Sequence, residues 1–136
     1  MRAMVDINVL VDVLQRREPF FLASAQVCDT AASGRLGGFI SAHAITTIHY
    51  ITRKFADADS AEKALDWLLG TFDVAGVNKA VIQRARGLGM ADFEDAVVAA
   101  ASESARCDYI ITRNIMDFEK SPVPAIAPSE FLALAK

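Results

Sequence analysis

Clusters of acidic and amide side chains lie at the ends of apolar segments, the position where ligands bind in proteins built on a parallel sheet. The three clusters are Asp6, then Asp92, Glu94 and Asp95, and finally Thr112, Arg113, Asn114 and Asp117. Oxygen donors without Cys or His beside them are the ligands that Mg²⁺ and Mn²⁺ prefer. A divalent ion held by few carboxylates keeps water molecules, and such a water can attack a phosphodiester. The pattern therefore indicates metal-dependent hydrolysis of phosphodiesters.

The carboxylates differ in how strongly they require a chemical explanation. Asp6 interrupts the apolar segment MRAMVDINVLVDVL, and an acid in such a segment costs on the order of several kcal/mol unless it is paired or binds a metal. Asp92 and Asp95, taken alone, are also typical of helix N-termini, where the helix dipole stabilises acids. Asp117, taken alone, is typical of a loop. Asp6 is therefore the strongest single candidate.

Composition narrows the class of protein. The chain has 136 residues, of which 53% are hydrophobic, and a net charge of −3, which excludes a disordered chain and a globally basic nucleic-acid binder. Cys28 and Cys107 share no motif spacing and are expected to be small buried residues in a reduced environment. His43 and His49 are expected to be structural polar residues. Since no stretch approaches the ~18 apolar residues of a membrane span, we expect one soluble cytoplasmic domain over residues 1–136.

Short apolar strands alternate with helices in the predicted order of elements. Strands are predicted at 1–5, 37–41, 72–75, 108–112 and 125–126, and helices after Asp6, from Pro19 to 34, over 44–55, after 59–60, over 78–85, over 92–105 and from Pro128. Asn8 is expected to cap the first helix, and Asp59 or Ser60 the helix that follows them. Such alternation favours an α/β fold, a three-layer α/β/α sandwich with a central parallel sheet of four to five strands.

An ordered set of segments resembles the PIN-domain family, in particular the VapC-like toxin ribonucleases. The segments are VDINVLVDVL, ISAHAITTIHYITRK, DFEDAVVAAAS and CDYIITRNIMDF. The resemblance spans essentially the whole chain in the right order, although no single motif decides it. It implies a parallel sheet between helices and metal-dependent endoribonuclease activity, with acids around one or two Mg²⁺ or Mn²⁺ ions.

The resemblance also implies roles for individual residues. Asp6 matches the first family acid and Asp95 the acid at the start of the long helix, so these two are expected to bind the metal. Asp92 and Asp117 are expected to support them in catalysis. The supporting polar positions are Asn8, Glu94, Thr112 and Asn114, where Asn114 stands at a position at which many members carry their last acid.

One family carboxylate is missing. The family normally places a glutamate on the helix after the second strand, but the segment AITTIHYITRK contains none. Thr46, Thr47 and His49 are the polar candidates near that position. This loss is consistent with three outcomes. The site binds a divalent ion more weakly, Glu94 compensates for the lost charge, or the domain no longer cleaves.

Two functions from different classes therefore remain open. The first is a metal-dependent endoribonuclease that is the toxin of a toxin–antitoxin pair, with Arg53, Lys54 and Arg113 meeting RNA phosphates. The second is a weakened or inactive PIN-like module that binds RNA or protein. A receiver domain fits poorly, since the fourth strand is followed by Thr112 and Arg113 rather than by lysine. Surplus apolar side chains on the 44–55 helix and in the DWLL segment also predict a homodimer.

Overall fold

Five strands alternate with helices along residues 1–135, the part of the chain that the computed structural model describes. The strands are β1 (Arg2–Val5), β2 (Gly37–Ser41), β3 (Asp73–Ala75), β4 (Tyr109–Ile111) and β5 (Ala125–Ile126). The helices are α1 (Ile7–Leu14), α2 (Phe21–Ala32), α3 (Ala42–Phe55), α4 (Ala58–Thr71), α5 (Lys79–Arg86), α6 (Phe93–Ser104) and α7 (Pro128–Leu134), with a 3₁₀ helix at Ile115–Phe118. None of the helices within residues 1–135 combines the length and the apolar character that a membrane span requires.

The strands form one parallel sheet in the order β3-β2-β1-β4-β5, which confirms the predicted α/β/α architecture. The strand order reverses at β1, because the chain moves first toward β2 and β3 and later toward β4 and β5. In the register of β1 with β4, Val5 lies opposite Ile111. The residues that follow these two positions therefore emerge side by side in the crevice at the carboxyl edge, where open parallel sheets bind ligands.

Alternate residues of the central strands enter two separate cores, one on each face of the sheet. Ala3, Val5, Ile40 and Ile111 pack with α1, α2, α3, α4 and α7 on one face. Met4, Phe39 and Ile110 pack with α5, α6 and the 3₁₀ helix on the other. This burial on both faces explains why the strands are continuously apolar in the sequence.

Two predicted helix caps are wrong, and one element was not predicted. Asp6 rather than Asn8 caps α1, because its carboxylate accepts the N–H of Ile7 and Asn8 lies inside the first turn. Asp57 rather than Asp59 or Ser60 caps α4, where its carboxylate accepts the N–H of Ser60 at 2.7 Å. The 3₁₀ helix at Ile115–Phe118 follows β4 where the sequence pattern predicts no helix.

Candidate active site

The paired ends of β1 and β4 place Asp6 beside Thr112. The Asp6 N–H donates to the carbonyl of Ile111 at 3.0 Å, so the ladder extends one residue past the strand. One carboxylate oxygen of Asp6 (Oδ1) accepts the N–H of Ile7 at 2.9 Å, and the other (Oδ2) accepts the Thr112 hydroxyl at 2.9 Å. Asp6 is 8% exposed and Thr112 is fully buried. The carboxylate of Asp6 is therefore held in a fixed orientation.

Amide groups extend this arrangement into a network. The Asn8 side-chain amide donates to Thr112 Oγ1 at 3.2 Å and, more weakly, to Asp6 Oδ2 at 3.4 Å. Thr112 Oγ1 also accepts the backbone N–H of Asn114 at 3.0 Å, and Asn8 Oδ1 accepts that of Arg113 at 3.3 Å. The segment after β4 is thereby tied to the first turn of α1.

A buried ion pair fastens the same two elements outside this network. The Arg113 guanidinium donates to both carboxylate oxygens of Asp12, at 2.7 and 3.1 Å. The Asp12 side chain has no solvent exposure and also accepts the Ser24 hydroxyl at 3.3 Å. The guanidinium lies 3.9 Å from the ring centroid of Phe20, a cation–π contact. Arg113 is therefore committed to a structural pair.

The facing wall comes from the start of α6. Asp92 is the N-cap, and its carboxylate accepts the N–H of Asp95 at 2.9 Å. Glu94 and Asp95 lie in the first turn, where the helix dipole favours acids. Asp117 comes from the 3₁₀ helix after β4. The acids of two sequence clusters thus approach the acid that follows β1.

These residues surround one depression of about 410 Å³, which we call the main cleft. Its apolar lining comes mainly from α1, α3 and α6. Its polar lining consists of Asp6, Asn8, Arg17, Thr47, Asp92, Glu94, Asp95, Asn114 and Asp117. Five carboxylates therefore share this small volume with one arginine.

Crowding of the acids shows in their proton affinities. The pKa of Asp95 is raised to about 7, first by burial and then by the negative charges of Asp92, Asp6, Asp117 and Glu94. The pKa of Asp6 is raised chiefly by burial, although its bonds from Thr112 and Ile7 oppose the rise. Proton binding near neutral pH is one response to such crowding, and cation binding is another.

The oxygen ligands of the main cleft fit a divalent cation such as Mg²⁺, but only one that is held by few side chains. Among residues 1–135, no three His, Cys, Asp or Glu side chains lie close enough together to hold one ion. Mg²⁺, however, commonly binds through one or two carboxylates and keeps several waters. Asp6 Oδ1 accepts one hydrogen bond and retains a lone pair, and in the described chain the Asp95 carboxylate accepts no hydrogen bond. Asp6 and Asp95 therefore fit as a two-carboxylate site.

A family model for the PIN domain matches residues 2–116. The chain belongs to the PIN-domain family. A VapBC2 complex from Rickettsia felis bound to promoter DNA has a similar fold, with 14% sequence identity, a TM-score of 0.72, and 93% of this chain and 98% of that chain covered. A toxin–antitoxin complex from Klebsiella pneumoniae has 22% identity, a TM-score of 0.71, and 93% and 97% of the two chains covered. The sarcin-ricin loop cleaving toxin VapC20 of Mycobacterium tuberculosis has 12% identity, a TM-score of 0.65, and 79% and 86% of the two chains covered. At these identities the structures show a shared fold. Among curated proteins, no sequence matches the chain significantly.

In this PIN domain, the predicted acids and amides come together, but the predicted cations do not. Asp6, Asn8, Asp92, Glu94, Asp95, Asn114 and Asp117 line the main cleft, and Thr112 binds Asp6 beneath it. Arg113 pairs with Asp12 outside the cleft lining. Arg53 and Lys54 lie in the last turn of α3, where the ammonium of Lys54 lies 5.8 Å from the Tyr50 ring centroid.

Sequence reasoning missed two residues of the site region, Arg17 and Asp12, and named Thr47 only as a polar candidate near the missing family glutamate. Of the polar residues near the missing family glutamate, Thr47 lines the main cleft. Arg17 also lines it, and its approach depends on the turn after α1, where Arg16 has φ +50°. Asp12 carried a readable signal, because it is a second acid in an apolar run and the argument that singled out Asp6 applies to it equally.

The remaining nucleophilic side chains of the PIN domain lie in the hydrophobic cores, as predicted. Cys28 and Cys107 are free and buried, and burial raises the pKa of their thiols to about 12 and about 11. At neutral pH both thiols are protonated and unreactive. The cysteines therefore offer no alternative chemistry to that of the main cleft.

Proposed function

We propose that this PIN domain is a divalent-metal-dependent endoribonuclease and the toxin of a toxin–antitoxin pair. The observation that carries the proposal is that Asp6 and Asp95 line the same cleft and that the charge of Asp6 acts on Asp95. The carboxylate of Asp6 is fixed by hydrogen bonds, while the pKa of Asp95 is raised to about 7 by burial and then by neighbouring acids. Perturbed acids in a cleft at the edge of a parallel sheet are typical of a catalytic site.

Asp6 and Asp95 would hold the metal, and the other polar groups would support them. When bound, the ion would supply a Lewis acid and a water activated for attack on a phosphodiester. Thr112 and Asn8 orient the Asp6 carboxylate by donating to it. Asp92 fixes the first turn of α6 and so the backbone of Asp95. Asp92, Glu94 and Asp117 add negative charge that favours cation binding.

The basic residues that would contact RNA phosphates differ in part from those named from the sequence. Arg17 lines the main cleft and is the cation we assign to the substrate phosphates there. Arg113 is unsuited to this task because its guanidinium is occupied by Asp12. Arg53 and Lys54 remain candidates for contacts with RNA beyond the cleft.

The toxin role is supported by the assemblies in which similar folds occur. The comparison structures include a toxin–antitoxin complex and VapBC2 and FitAB structures bound to DNA fragments. We infer an antitoxin partner for this chain and a homodimer. Exposed Tyr50, Phe55 and Leu69 on α3 and α4 are 63%, 71% and 59% accessible and are candidates for the dimer contact.

A cleavage assay tests the activity. Structured RNA is incubated with the protein in Mg²⁺, in Mn²⁺ and in excess EDTA, and wild type is compared with Asp6→Asn and Asp95→Asn. We expect metal-dependent cleavage that both substitutions abolish, since few ligands remain to compensate. The matched control is Asp66→Asn, an exposed acid on α4 outside the cleft. Cleavage that persists in EDTA would refute the metal mechanism.

One observation favours a second function. Thr47 stands in the main cleft where a further carboxylate would strengthen cation binding. A PIN-like module that binds RNA without cutting it is consistent with this residue. RNA binding by a folded wild-type protein without cleavage in Mg²⁺ or Mn²⁺ would favour this alternative.

A further inference from the structure

A second depression of about 390 Å³ adjoins the main cleft. We call it the Met lobe, after Met90 and Met116 in its wall. Asp92, Asp95 and Asp117 line both depressions. These three acids therefore stand between the Met lobe and the main cleft.

The shared acids constrain the path of a polymeric substrate. In the proposed function, the scissile phosphate lies at Asp6 and Asp95. A strand whose phosphate reaches Asp95 must continue on both sides of it, and Asp95 borders a depression on each side. One neighbouring nucleotide then occupies the main cleft and the other the Met lobe.

The lining of the Met lobe suits a nucleotide. Met90 packs partly against the core beside α6, while Met116 is 76% exposed. In the 3₁₀ helix, Ile115 and Phe118 are three residues apart and lie on one side. Phe118 is buried, so Met116 and Asp117 are left outward. The 3₁₀ helix thus presents Asp117 to the main cleft and Met116 to the Met lobe.

The Met lobe also contains a cation that suits a phosphate group. Lys120 and Glu119 line the Met lobe together with the shared acids, and the Lys120 ammonium donates to the carbonyl of Gly89 at 3.3 Å. The main cleft has Arg17 as its cation. Each depression therefore carries one positive side chain suited to a phosphate, while a methionine sulfur contacts the edges and faces of aromatic rings favourably.

We propose that the Met lobe is a nucleotide subsite, in which Met116 contacts the base next to the scissile phosphate and Lys120 contacts the following phosphate. The proposal rests on the proposed function, because the Met lobe receives a nucleotide only if the scissile phosphate of an RNA substrate lies at Asp6 and Asp95. It assigns base preference beside the cut to Met116 and Met90.

Steady-state cleavage of short RNA oligonucleotides in Mg²⁺ tests this assignment. Met116→Ala should raise KM by about 2- to 10-fold, the range for one sulfur–aromatic contact, with kcat within twofold of wild type. Met116→Leu should recover part of the loss. Leu22→Ala is the matched control, because Leu22 is a similarly exposed apolar residue on α2, at 64%. Urea denaturation of each variant verifies that it folds.

Substrates with a single abasic nucleotide give a sharper test. If Met116 contacts a base, an abasic site at one position beside the cut should abolish the difference between wild type and Met116→Ala. Abasic sites elsewhere should leave that difference intact. A constant ratio between the two proteins at every position would overturn the subsite.

The subsite and the proposed activity can fail separately. If wild type cleaves RNA and Met116→Ala equals it on every substrate, the subsite is overturned and the activity stands. If wild type binds RNA without cleaving it, the activity fails, and fluorescence anisotropy with the same variants still tests the subsite. Loss of binding to a co-expressed protein partner, with RNA affinity unchanged, would assign the Met lobe to that partner and overturn the proposal.

Discussion

Replacing Asp95 with asparagine should stabilise the metal-free protein at alkaline pH. The substitution conserves shape and removes one negative charge from a cleft that Asp6, Asp92, Glu94 and Asp117 also line. It breaks no side-chain hydrogen bond found within residues 1–135. The pKa of Asp95 is about 7 in the folded protein, against an ordinary value of 3.8. Ionised Asp95 therefore costs folding free energy.

The sign and size of the effect follow from proton linkage. Because the folded pKa lies above the unfolded one, the contribution of Asp95 to stability is greatest below about pH 3.8 and is lost as the pH rises through about 7. At ~1.4 kcal/mol per pKa unit the loss is at most about 4 kcal/mol. The carboxylate is only half-buried, so solvent screening reduces this to about 1–2 kcal/mol. Asp95→Asn should gain that amount at pH 8 and nothing at pH 3.5.

Urea denaturation in excess EDTA measures the difference. The midpoints of wild type and Asp95→Asn are compared at pH 3.5, 6 and 8, with Asp66→Asn as the control for loss of an acid outside the cleft. We expect the stability gap to grow with pH for Asp95→Asn alone. A variant that is equally or less stable than wild type at pH 8 would refute the crowding of acids on which the site assignment rests.

Three further predictions follow from the same structure. Arg113→Ala should lower the free energy of unfolding by about 3–5 kcal/mol in urea denaturation, because it leaves Asp12 charged and buried without its partner; a loss under 1 kcal/mol would contradict the buried pair. Thr47→Glu should bind Mg²⁺ at least several-fold more tightly in calorimetry, and wild type should bind it weakly; submicromolar wild-type affinity would contradict this. Replacing Tyr50 and Leu69 with serine should turn a light-scattering dimer into a monomer, and a wild-type monomer at micromolar concentration would count against the dimer.

The sequence predicted the fold well because its signals are local. Short apolar runs such as Tyr109–Ile111 indicate strands buried in the sheet, and alternation with helices implies a parallel sheet. The capping errors have a common cause. Asp57, Asp59 and Ser60 are all good N-caps in isolation, and the choice among them depends on where the preceding helix ends.

In the candidate site, too, the residues set by local sequence signals could be predicted and those set by tertiary packing could not. Asp6 and Asp95 could be predicted because strand ends and helix starts meet at one edge of a parallel sheet. Arg113 could not be placed from the sequence, since its partner Asp12 lies a hundred residues away and is selected by packing. Arg17 and Thr47 enter the main cleft through the turn after α1 and the rotation of α3, which no local pattern sets.

The absent family glutamate and the raised pKa of Asp95 are two aspects of one electrostatic balance. Every carboxylate added to the main cleft strengthens cation binding but raises the cost of the metal-free fold, because the acids repel one another. Thr47 lowers that cost, since a hydroxyl adds no charge to the cleft that Asp95 and Glu94 also line. Thr47→Glu should therefore lower stability in EDTA while it tightens Mg²⁺ binding, and added Mg²⁺ should restore that stability. If Thr47→Glu were neutral in both assays, Thr47 would lie too far from the acids to stand in for the missing carboxylate.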